Sequence, residues 1–106
     1  MLAIALAIAM SPGACPMRIG IGADGTVFTN RMHGWYKASL QSMEGELRSE
    51  CYNDSHPSPI TSVTLFLAPD APKPRVDAVF SVLKKDGWSQ DKITVGSWRG
   101  YPNPPQ

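Results

Sequence analysis

The sequence predicts an α+β two-layer sandwich. It would hold a mixed four-stranded sheet with two helices on one face, in the order β-β-α-β-α-β. Three observations predict this. Met17, Ile19 and Ile21 alternate with Arg18, Gly20 and Gly22, the period of a strand with one buried face. The stretch "ITSVTLFLA" at 60–68 is mostly apolar on both faces, as a central strand is. After it, Val76, Val79, Phe80 and Leu83 recur at the spacing of an amphipathic helix. Strand, helix and the closing strand "KITVGSW" together span about thirty residues, the size of a parallel crossover.

Each element has its own warrant. "MRIGIGADGTVFTN" reads as a hairpin, because Asp24-Gly25 accepts the positive φ of a tight two-residue turn. The return strand, 26–29, is rich in β-branched and aromatic residues. The first helix is read from Trp35 onward, with Tyr36, Leu40, Met43 and Leu47 along one face. Gly45 weakens its middle, and "NDSHPSP" ends it in a loop. The second helix has Pro74 in its first turn, where the missing N–H costs nothing. Asp77 near its start and Lys84-Lys85 at its end complement the helix dipole, and Gly87 caps it. In the last strand Ile93 and Val95 point inward.

The chain has 106 residues, 42% hydrophobic and 18% charged, which suits one domain with a modest core. Ten basic and nine acidic side chains leave a net charge of +1. No concentrated basic surface is available, so nucleic acid is not an expected partner. "MLAIALAIAM" carries no charge and is about half the length needed to span a bilayer. It matches the apolar part of a signal peptide, with small residues following. The division expected is therefore a signal peptide at 1–16, a domain at 17–98 and a proline-rich tail at 99–106. The chain would be periplasmic or secreted. The alternative is a shortened membrane anchor that holds the domain at the inner membrane, facing the periplasm.

The hairpin with its "DG", the helix after it and "VTLFLAPDAPKPRVDAVFSVLKKDGW" together resemble the periplasmic domain of the ExbD/TolR family of biopolymer-transport proteins. The carrying features are the turn at 68–70, the proline-containing connection at 72–76, Asp77, Val79 and Leu83 in the helix, and Gly87-Trp88. The resemblance implies self-association and contact with a partner protein or with cell-wall material. That family also works through an acidic residue in an N-terminal transmembrane helix. No acidic residue precedes Asp24 here, so the resemblance reaches the soluble domain alone and implies no energy coupling.

Other candidates are thin. Two cysteines, Cys15 and Cys51, favour one disulfide in an exported chain. Against this, an up–down path puts Cys15 before the first strand and Cys51 at the end of the first helix. They would then lie at opposite ends of the sheet, and Cα atoms more than about 7 Å apart cannot bridge. Cys15 follows small residues as a lipid-attachment cysteine does, but Pro12 stands where such a signal has an aliphatic residue. Cys51, Asp54 and His56 could ligate zinc, although Asn-Asp-Ser is ordinary loop chemistry. His33 has no nucleophile or acid in a recognisable frame. "GIGADG" precedes a turn and no helix, so it is no dinucleotide loop. The expectation is a module with no catalytic residues, metal or cofactor. It would bind through a strand edge at Thr94, Val95, Gly96 and Trp98, a weak homodimer being one form of that contact. The other function class is a small exported enzyme or enzyme inhibitor using a groove beside the sheet.

Overall fold

A computed structural model describes residues 15–30, 34–53 and 56–105, with backbone alone at 51–53 and 56–57. The first hairpin pairs β1 (Pro16–Ile21) with β2 (Val27–Asn30) in antiparallel register. The connection is longer than a two-residue turn. Gly22 donates its N–H to the Thr26 carbonyl at 2.8 Å, and Gly25 turns the chain at φ 86°. The Asp24 carboxylate accepts the Thr26 N–H at 3.0 Å, which holds its pKa below the ordinary value.

The sheet has five strands where the sequence predicts four. The extra one is β3 (Tyr36–Ala38), paired antiparallel with β2 in the stretch read as the start of a helix. The reason is local. Ser39 caps the helix through a capping box with Ser42, so α1 (Leu40–Leu47) begins only there. Tyr36 therefore lies outside the helix, while Met43 and Leu47 are buried as the apolar stripe requires. A second hairpin follows, β4 (Glu50–Asn53) with β5 (His56–Pro59), forming its own two-stranded sheet. The sequence reads those residues as helix end and loop.

β6 (Ser62–Leu67) lies beside β1, parallel to it. Then α2 (Lys73–Lys85) starts with Pro74 in its first turn and carries Val79 and Leu83 on its buried face. Gly87, at φ 86°, closes it. Its N–H bonds the Lys84 carbonyl and the Trp88 N–H bonds the Leu83 carbonyl, each at 3.0 Å, so the last carbonyls are satisfied. A short 3-10 turn, Gln90–Lys92, leads into β7 (Ile93–Ser97), parallel to β6. The sheet order is β3-β2-β1-β6-β7.

One face of this sheet is the core. Met17, Ile19, Ile21, Val63 and Leu65 pack with Met43 and Leu47 of α1 and Val79 and Leu83 of α2. Both helices thus share one face. Residues in between, such as Arg18, Gly20, Phe28 and Phe66, belong to the other.

Candidate functional site

The outer face is built from the strand register. Lys37, Phe28, Gly20, Phe66 and Gly96 form one row across all five strands. Gly20 sits between the two phenylalanines and leaves a trough. Trp98 fills it, buried to 4% exposure. Its ring meets Phe28 edge-on at 5.5 Å and Tyr101 edge-on at 4.9 Å, and stacks on Trp35 at 6.2 Å. Trp35 in turn meets Phe66 at 6.2 Å. Arg18 lies over both rings, 5.3 Å from Trp35 and 5.6 Å from Phe66. A guanidinium so placed is attracted by the ring faces.

The chain after β7 lies over this cluster. The Trp98 Nε1–H donates to the Asn103 carbonyl at 2.6 Å, and Arg18 Nη2 donates to the Pro105 carbonyl at 3.1 Å. Residues 101–105 are therefore a packed strap, where the sequence suggests a loose tail. A cavity of about 320 Å³ remains between strap and sheet, lined by Phe28, Trp35, Lys37, Trp98, Tyr101, Pro102 and Pro104.

Glycine at position 20 is a packing requirement. A Cβ there would stand 2.8 Å from Trp98 Cζ3, and the ring is pinned by its hydrogen bond and its neighbours. Gly20→Ala is expected to cost about 1–3 kcal/mol by overpacking, read from the urea midpoint. An unchanged midpoint would mean that the indole swings aside freely.

The four expected interface residues are divided by the geometry. Thr94 and Val95 are exposed on β7, and Gly96 is partly so. Trp98 lies under the strap. Strand β7 is an outer strand. The Trp98 N–H bonds the Leu67 carbonyl of β6 at 2.7 Å. Because N–H directions alternate along a strand, those of Val95 and Ser97 face the open edge, while the Ile93 N–H is taken by the Gln90 carbonyl. Val95 is 49% exposed and, with Phe80, Gln90 and Ile93, lines a shallow 300 Å³ cleft beside that edge.

A third feature joins the helices. Arg48 Nη2 reaches Asp86 Oδ1 at 2.9 Å and Glu44 Oε2 at 3.3 Å, and Lys85 Nζ reaches the same Glu44 oxygen at 2.9 Å. The hydrogen bond from Arg48 holds the Asp86 carboxyl below its ordinary pKa, and Asp86 raises that of Arg48. The network borders a 610 Å³ cleft with Trp88 and Lys92 on its walls. Its visible role is to tie α1 to α2.

Cys15 is buried and disulfide-bonded, so its sulfur is closed to lipid attachment. The objection from the up–down path assumed that Cys51 ends a helix. Cys51 is instead in β4, whose partner β5 leads to Thr61, and the Thr61 N–H bonds the Cys15 carbonyl at 2.9 Å. The side chains of Cys51 and His56, all of Asp54 and His33, and residues 1–14 of the expected 1–16 signal segment lie outside the described residues; its last two, Cys15 in the core and Pro16 at the start of β1, belong to the fold. Among the described residues no group of three potential ligands could hold a metal, and no helix is long and apolar enough to cross a membrane.

Sequence reasoning missed Arg18 and Tyr101, and it placed Trp35 in the first helix. One signal was present: glycines at alternate positions of a strand mark a close approach by something else.

No protein-family model, curated protein or solved structure matches this chain. The likeness to the ExbD/TolR periplasmic domain stands on the quoted residues alone.

Proposed function

We propose that the chain is an exported, non-catalytic binding module of the ExbD/TolR periplasmic type. It holds a partner protein or a second copy of itself at the free edge of β7. The observation that carries this reading is the row of N–H and C=O groups at Val95 and Ser97, which no strand pairs among the described residues, beside the cleft lined by Phe80. Such an edge accepts an extended chain by adding a strand. Lys92 and Arg99 bracket it, which limits uncontrolled pairing, so the association is weak. Export is supported by the uncharged apolar start and by the disulfide at Cys15, since disulfides persist in oxidising compartments.

Val95→Pro tests the edge. It removes an outward N–H and leaves the β6 ladder whole, because proline is tolerated on an edge strand where the N–H faces outward. Light scattering at high concentration should give twice the 11.5 kDa of one chain for the wild type, and a single chain for the variant. A wild type that stays monomeric, with no added segment bound at β7, removes the proposal.

A further inference from the structure

The aromatic face lies on the sheet's outer side, away from the β7 edge, and the strap occupies it. The strap Tyr101–Pro105 contains three prolines around Asn103. Proline has no N–H, so a proline-rich segment offers carbonyl oxygens that its own backbone leaves unbonded. The face supplies donors to two such carbonyls. They are Trp98 Nε1 to Asn103 and Arg18 Nη2 to Pro105. Beside these donors the rings of Phe28, Trp35 and Trp98 line one cavity with Tyr101, Pro102 and Pro104 of the strap. Aromatic slots plus side-chain donors to carbonyls are how proline-rich chains are read by folded domains generally.

We propose that this face docks proline-rich extended segments of partner proteins, and that residues 101–105 act as an intramolecular competitor. Lys37 also lines the cavity, so the fitting segment carries an acidic side chain next to its prolines. Gly100, at φ 79°, is the hinge from which the strap departs. Binding in trans displaces the strap, and the affinity of the intact chain is lowered by the fraction of time the strap is closed.

The probe is a capped synthetic peptide, Asp-Tyr-Pro-Asn-Pro-Pro, titrated into the full chain. The readout is the Trp98 indole N–H resonance together with calorimetry. Saturable shift of that resonance is expected. Tyr101→Gly removes the ring that holds the strap against Trp98, and should tighten binding by about tenfold or more. A peptide with alanine at every proline should not bind, and Val95→Pro should bind as the wild type does. That last arm separates this surface from the β7 edge, so either proposal can fail alone. Equal affinity in wild type and Tyr101→Gly overturns the competition by the strap. No saturable shift at millimolar peptide in the wild type and the variant overturns the surface. Should Tyr101→Gly fail to fold, the wild-type titration alone decides the surface, and a peptide-induced loss of the strap's own contacts decides the competition.

Discussion

Replacing Trp98 with alanine is expected to lower the unfolding free energy by about 3–5 kcal/mol, the range for truncating a buried aromatic side chain. Five contacts set this size. The indole fills the trough over Gly20, meets Phe28 and Tyr101 edge-on, stacks on Trp35 and donates to the Asn103 carbonyl. Alanine removes all of them at once and leaves a space that Gly20 cannot fill. The strap loses its anchor in the same step. Equilibrium urea unfolding checks it. The midpoint should fall while the slope stays near its wild-type value. Trp98→Phe should recover part of the loss, because it restores ring contact but not the donor. A midpoint within error of wild type for Trp98→Ala would show that the outer face adds nothing to stability.

Removing the disulfide is the second large effect. Cys15→Ala should cost about 2–5 kcal/mol. Cys15 is buried in the core cluster that includes Ile60 and Met17. The one other cysteine in the chain is Cys51, so the bridge expected within one molecule closes the whole segment from β1 to β4. In the chain-entropy account such a loop restricts the unfolded state strongly. Urea unfolding with and without reductant should reproduce the loss in the wild type and leave the variant unchanged. Peptide mapping without reductant should recover one cross-linked pair containing Cys15 and Cys51. A reductant-insensitive wild type would contradict the expectation.

The legible parts of the fold were those with strong periodicity. β1, β6, β7 and α2 stand where alternation and the 3.6-residue stripe put them. The misread part was 35–59. Tyr36 has the right spacing from Leu40 to extend a helical stripe, yet Ser39 stops the helix by capping it, and the three residues before it pair with β2. Periodicity and capping compete there, and the cap wins. The β4–β5 hairpin was hidden for a different reason. Two prolines and mostly polar residues fill 53–62, and its pairing is isolated from the main sheet, so no apolar alternation marks it. At the candidate site the edge position of β7 was legible from the crossover. The role of Trp98 was not. Large apolar surface near the chain's end reads equally as an interface or as a lid, and only the register of Gly20 under its ring decides where it goes.

The pairing of β1 with β6 has a consequence for how the molecule assembles. On one side of it lies the meander β1–β2–β3, on the other the unit β6–α2–β7, and each is closed by contacts near in sequence. The two meet along one parallel ladder from Pro16 with Ser62 to Ile21 with Leu67. The bond between Cys15 and Thr61 at its foot joins residues 46 apart. Loop closure at that separation is entropically slow compared with forming either hairpin or helix. The ladder is therefore the seam between two locally closed halves, and joining them costs more loop-closure entropy than closing either one.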